Sequence, residues 1–304
     1  MNFLRYYNQN RKFIWLVIIA IIVLIIAIQA MNAIVRNKNK NQTFTNNINE
    51  NDYKNNLRIN VLISDSEVQE QEELVIDQFI RLCNAEKVEE AYNLLTSDCK
   101  EELYKSLEEF KKSYWTKYFS TTKLYSKEKY KKNTYRIHLY EDVLTSMKNI
   151  EDYFTVQKED GVTKLNIGGY IQSEKKEKTT SNEYLEIKVK NRKIYKEYEI
   201  YDLEITNLTY KTILLDSKEK TKTMYIKDKD SIEYYAVSHE VLLENLCIKP
   251  KAIQTVSIKY TKEYNLNRTI NSLIFEDIIL DYDVYKEKSK KSEYTDRMSF
   301  KVNL

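Results

Sequence analysis

The chain has 304 residues, of which 31% are charged, and a formal net charge of +3 at pH 7. Acidic and basic residues are interspersed, which describes a solvated surface and argues against the clustered basic face that nucleic-acid binding requires. Three glycines and one proline leave no room for a glycine-rich phosphate loop. Three widely spaced cysteines, Cys83, Cys99 and Cys247, argue against a disulfide framework.

Residues 13–28 form an unbroken apolar run, and only Gln29 and Asn32 interrupt its continuation to Val35. As a helix, residues 13–35 span about 35 Å, enough to cross a hydrocarbon core of about 30 Å. Every backbone amide is then satisfied inside the segment. Trp15 lies near one interface, and Arg11, Lys12 and Arg36 close the two ends, as anchors of a membrane span do. The alternative is a cleaved signal peptide, whose apolar region runs about 7–15 residues before a small-residue site. This run is longer, and Ile28-Gln29-Ala30 is a poor match to such a site. The chain therefore reads as a short tail (1–12) and a retained transmembrane helix (13–35). Arg5, Arg11 and Lys12 precede the run, and Arg36, Lys38 and Lys40 follow it. Flanking charge therefore does not set the orientation. Residues 36–62, polar and without periodicity, read as a flexible stalk.

Helical spacing begins near Ser66, where Ser66 and Gln69 match a capping box. Val75, Phe79, Leu82 and Cys83 recur at i, i+4, i+7 and i+8, which places them on one face of a helix. A second helix carries Val88, Ala91, Tyr92 and Leu95, and a third carries Leu103, Leu107 and Phe110. The period then falls to two. Tyr135, Ile137 and Leu139 share one face of a strand, and Glu159-Asp160-Gly161 joins two more strands in a hairpin. Helices followed by an antiparallel sheet make an α+β domain over residues 63–172.

The order of these elements resembles the nuclear transport factor 2-like family, as do the segments IDQFIRLCNAEKVEEAYNLLTSDCKEEL and FTVQKEDGVTKLNI. The resemblance covers residues 66–171. It implies a cone of helices on a curved sheet around a pocket. It also implies one of two roles: ketosteroid-isomerase-type catalysis, or non-catalytic service on membrane-anchored bacterial proteins, including assembly components of conjugation and secretion machines. The second role favours a short N-terminus inside the cell and the bulk of the chain outside.

Residues 173–183, SEKKEKTTSNE, read as a charged linker. Beyond it, Leu185, Ile187 and Val189 alternate on one face, as do Tyr201, Leu203 and Ile205. A turn falls at Asn207-Leu208, and a hairpin is expected around residues 227–230. Turn signals at regular spacing predict an all-β sandwich over residues 184–304, similar in pattern to immunoglobulin-like accessory domains. Residues 270–285 continue the strand pattern, and the last residues alternate as an edge strand would. The many tyrosines suit half-buried strands, with the ring inside and the hydroxyl outside.

Isomerase chemistry requires a carboxylate base and a hydrogen-bond donor. Glu141 or Asp142 with Tyr140 supply the residue types, but such pairs arise by chance in this composition. His138 and His239 are isolated, whereas a zinc site needs clustered ligands. Asp228, Asp230 and Glu233 lack the turn glycine of a calcium loop and read as a charged hairpin tip. The S-x-x-K matches at Ser120, Ser126 and Ser173 come without a K-T-G partner. N-x-[ST] occurs at Asn41, Asn207 and Asn267, where it matters only in a eukaryotic secretory pathway. Cys83 and Cys247 read as small core residues. No residue is assigned to catalysis, a cofactor or a metal.

The sequence thus predicts an α+β chain with a transmembrane helix, an α+β cone and a β-sandwich. Its expected role is a membrane-anchored, extracytoplasmic assembly protein of the bacterial envelope. Its expected partners are the membrane and other envelope proteins rather than nucleic acid. The alternatives are a ligand-binding or sensing protein that uses the cone pocket, and an isomerase-type enzyme. No pattern in the chain fixes an oligomeric state.

Overall fold

The computed structural model describes residues 65–141, 150–288 and 291–304. The expected membrane span and stalk lie outside the described residues. Among the described residues no helix is long and apolar enough to cross a membrane.

Helix α1 (Asp65–Asn84) buries Val75, Ile76, Phe79, Ile80, Leu82 and Cys83, the apolar face its spacing predicts. Short helices α2 (Val88–Asn93) and α3 (Ser97–Leu103) follow. Thr96 caps α3 by accepting from the Cys99 N–H at 2.9 Å. The third expected helix is broken. Ser106 starts a new one by accepting from the Glu109 N–H, so α4 (Leu107–Phe110) stands apart from α3. A single π turn, Lys111–Trp115, joins it to α5 (Thr116–Phe119). This π turn brings Phe110, Tyr114 and Phe119 all to the buried side.

The first sheet has the antiparallel order β1-β2-β3-β4, with β1 Leu124–Lys131, β2 Thr134–Tyr140, β3 Ile150–Glu159 and β4 Val162–Asn166. Tyr135, Ile137 and Leu139 of β2 face the core as their alternation predicts. The β3–β4 turn places Asp160 at φ 51° and Gly161 at φ 80°, the left-handed pair that a two-residue hairpin of type I′ requires. Strand β1 escapes a hydropathy reading because polar contacts fasten it to α1: Tyr125 and Lys127 both donate to Asp77, at 2.7 and 2.8 Å. Backbone bonds between Leu94, Thr96 and Leu165 tie the helices to β4.

Strand β5 (Tyr170–Ser181) pairs with β6 (Leu185–Tyr195), which pairs with β7 (Tyr198–Asn207). Residues 173–181, read from sequence as linker, are therefore strand. Their charges lie along β5, the outermost strand in the order β12-β7-β6-β5, with β12 Ile253–Thr261. A further antiparallel sheet runs β10-β9-β13-β8-β11, with β8 Ile213–Leu214, β9 Met224–Asp228, β10 Glu233–Tyr235, β11 Cys247–Ile248 and β13 Ile270–Ile279. The expected hairpin at residues 227–230 is the β9–β10 connection, and β14 (Arg297–Asn303) pairs with β13. Two short helices also appear: α6 (Leu243–Leu246) and α7 (Tyr282–Glu287). The α7 segment was expected to be strand. Asp281 caps it by accepting from the Val284 N–H and turns the chain into helix.

Ile187, Val189, Leu203 and Ile258 from one sheet share a core with Ile226, Leu273, Phe275 and Val302 from the other. A separate core lies between the helices and the first sheet. All described residues belong to one compact unit.

One polar cluster interrupts the β5–β6–β7–β12 sheet. Glu199, fully buried, accepts from Arg192 Nη2 at 2.7 Å and Nε at 2.9 Å, from Lys262 Nζ at 2.7 Å and from the Tyr201 hydroxyl at 2.9 Å. Burial works against its charge, yet Arg192 and Lys262 hold its carboxyl below the usual range. Removing one partner of such a cluster strands the others without compensation, which costs about 3–5 kcal/mol. Glu199→Gln is therefore expected to lower the unfolding free energy by about 3 kcal/mol or more in urea titration; a loss below about 1 kcal/mol would contradict the pairing.

Candidate functional site

The first core is dominated by rings. Phe79 meets Phe154 edge-on at 5.4 Å and Phe110 at 6.3 Å, Phe110 stacks on Tyr114 at 5.6 Å, and Tyr104 closes on both Phe110 and Tyr114. These side chains occupy the space between the helices and the first sheet.

At the edge of that core an open cleft of about 270 Å³ is lined by Tyr118, Glu151, Asp152, Tyr153, Gly168, Gly169 and the β6–β7 turn residues 195–198. Asp152 is in phase on β3 with Ile150, Phe154 and Val156, so the strand aims its carboxylate toward the helices. Its Oδ2 accepts from the Tyr114 hydroxyl at 2.7 Å and the Gly168 N–H at 3.2 Å; its Oδ1 accepts from the Tyr153 N–H at 2.7 Å. Gly168 and Gly169 both have positive φ, 67° and 71°, which lets the backbone fold over the carboxylate. A Cβ at Gly168 would meet the Tyr104 hydroxyl at 3.2 Å.

Burial pushes the Asp152 carboxyl up to about 6, against the lowering pull of Tyr114 and the Tyr153 and Gly168 amides. The neighbouring carboxylates behave differently. The Tyr153 hydroxyl, which donates to Glu151 at 2.7 Å, holds Glu151 below the usual range, and Arg136 lies 3.8 Å from it. Glu197 pairs with Lys196 at 3.1 Å, and the Lys196 ammonium also lies over the Tyr153 ring at 4.6 Å.

The residues weighed from sequence do not converge here. Glu141 is exposed and accepts from Lys123 and Thr121 at 2.7 and 2.9 Å; Tyr140 ends β2, and Asp142 lies outside the described residues. His138 sits mid-strand in β2, and His239 is exposed in a short 3-10 turn. Asp228 is buried. It accepts from the Asp230 and Ile232 amides and the Tyr234 hydroxyl, while Glu233 pairs with Lys227 at 2.9 Å. These contacts make a hairpin tip. Lys123, the lysine of one S-x-x-K match, is spent on Glu141. Ser126 and Lys129 lie three apart on β1 and so point to opposite sides of the strand. Asn207 is fully buried and its amide donates to three carbonyls, those of Lys211, Ile248 and Lys249, a geometry closed to glycosylation. Cys83 and Cys99 are buried in the first core, and burial raises both thiols, Cys99 to about 12. Asp152 was missed from sequence, although one signal marks it: a carboxylate at an inward position of an otherwise apolar strand.

Comparison with family models, with curated proteins and with solved structures returns no match.

A carboxylate whose folded pKa is raised makes the fold less stable once it ionises. Between the unfolded value of 3.8 and about 6 the folded state binds more protons, so stability falls as pH rises through that window and levels off above it. Urea titrations from about pH 4 to pH 7 are expected to show wild type losing about 2 kcal/mol relative to Asp152→Asn. Parallel stability curves would contradict the assignment.

Proposed function

We propose that this is a membrane-anchored protein that works by binding other proteins of the bacterial envelope. In this reading residues 13–35 hold it in the membrane, and the remainder displays a nuclear transport factor 2-like cone and an immunoglobulin-like sandwich outside the cell. The observation that carries the reading is the ring packing of Phe79, Phe110, Tyr114 and Phe154. Rings fill the place where a ligand-binding or catalytic relative of that fold would keep its pocket, which leaves the outer surface as the working part. An anchor adds to this by confining the chain to two dimensions and raising its effective concentration for partners. An assembly role in a conjugation or secretion complex fits such a design.

The ligand-binding alternative has one observation in its favour, the open cleft beside Asp152. An isomerase reading has less: the Tyr114 hydroxyl, the side-chain donor on Asp152, is committed to the carboxylate itself and is not free for an enolate oxygen.

Cross-linking in native membranes, followed by capture through a tag at Leu304, is expected to return a small, reproducible set of envelope proteins. The same capture with residues 1–35 deleted is expected to lose them. Bait alone from intact membranes would contradict the assembly role, and full capture by the deleted form would contradict the anchor's part in it.

A further inference from the structure

Asp152 is the one carboxylate of its cleft without a counter-charge. Glu151 has Arg136 and Glu197 has Lys196, but Asp152 is held only by a phenol and backbone amides. Among the described residues no cation lies within ion-pair distance of it. Buried charges in folded proteins are otherwise paired, and this chain follows that rule at Glu199 and at Asp277, which binds Arg297 Nη1 at 2.6 Å. Asp152 and Asp216 depart from it, Asp216 being held by the Thr223 hydroxyl and the Lys218 N–H, and of the two Asp152 lines the cleft. Its walls include Tyr118 and Tyr198, both half-buried and with hydroxyls that have no partner among the described residues. Their ring faces are already engaged, with Lys117 over Tyr118 at 4.8 Å, Lys259 over Tyr198 at 4.3 Å and Tyr195 stacked on Tyr198 at 4.4 Å, so the hydroxyls are the groups they offer to the cleft.

We propose that the cleft over Asp152 is a binding site for an organic cation, a primary ammonium group that enters between Tyr118 and Tyr198 and pairs with the Asp152 carboxylate. The carboxylate supplies the charge, and the two phenols supply hydroxyl acceptors. The ammonium can belong to a free amine or to a lysine side chain of a partner protein. The site does not rest on the assembly reading, because a free amine would bind whether or not the chain has protein partners.

The test is saturation-transfer difference NMR on the full chain in detergent. The cationic probes are n-butylammonium and acetyl-Gly-Lys-Gly-amide. The neutral counterparts are n-butanol and acetyl-Gly-norleucine-Gly-amide. Both cationic probes are expected to bind about tenfold more tightly than their counterparts, as a charge-assisted contact implies. The preference is expected to vanish in Asp152→Asn. Tyr118→Leu removes a half-buried wall that packs edge-on against Tyr114 at 4.8 Å, keeps apolar bulk there, and is expected to weaken the preference. It decides the matter if the Asp152 variant fails to fold. Binding by n-butylammonium alone would support a free amine as the natural source. Stronger binding by the lysine peptide would support a partner's side chain. Equal binding of charged and neutral probes, or a preference unchanged in a folded variant, would overturn the proposal.

Discussion

The hairpin formed by β6 and β7 belongs to two cores at once, and the rest of the structure is arranged around that constraint. Near its turn, Tyr195 and Tyr198 stack at 4.4 Å and pack against the helical core. Farther along the same strands, Ile187, Val189, Leu203 and Ile205 enter the core between the two later sheets. Arg192 and Glu199 fall between these two stretches in the hairpin. Polar contacts reinforce the join: Glu102 of α3 accepts from the Tyr195 hydroxyl at 2.7 Å and pairs with Lys193 at 2.9 Å, and Asp98 accepts from the Ser173 N–H at 3.1 Å. A chain that reads as two domains and a linker is thus continuous through its strands, and the Asp152 cleft forms where the hairpin turn meets β3.

This continuity bears on how such a protein would act. A filled helical core and strands shared by both cores favour a rigid body over a hinged one, and a rigid body suits a surface that presents fixed groups to a partner. Aromatic packing adds to the rigidity, since each well-placed ring pair contributes about 0.5–1.5 kcal/mol beyond the area it buries. Asp152, buried and with no cation at ion-pair distance among the described residues, sits where the hairpin turn meets β3, and a ligand or a partner's side chain there would touch both cores.

Much of this was legible where one face of an element is apolar and the other is wet. The inward residues of α1, β2, β6 and β7 follow from period alone, and Asp160-Gly161 announces its hairpin. Elements held by charge were not legible. β1 is fastened through Asp77, β5 carries a run of lysines and glutamates along a sheet edge, and α7 exists because Asp281 caps it. β3 hides its site for a different reason. Residues 152–156 are all buried, so alternation cannot separate core from cleft there, and Asp152 passes for the polar start of a strand. The Arg192–Glu199–Lys262 cluster spans 70 residues of sequence and is visible only once β6, β7 and the end of β12 are brought together.

The claim that both cores stand or fall together is tested most directly by native-state hydrogen exchange on the full chain, comparing wild type with Tyr195→Ala. The substitution removes a ring from the helical core and a hydroxyl from Glu102, but touches no residue of the second core. The account predicts that amides of β3 and of β13 lose protection by the same factor, because the shared hairpin makes them one cooperative unit. Protection lost in β3 and retained in β13 would show two units that fold independently, and would contradict it.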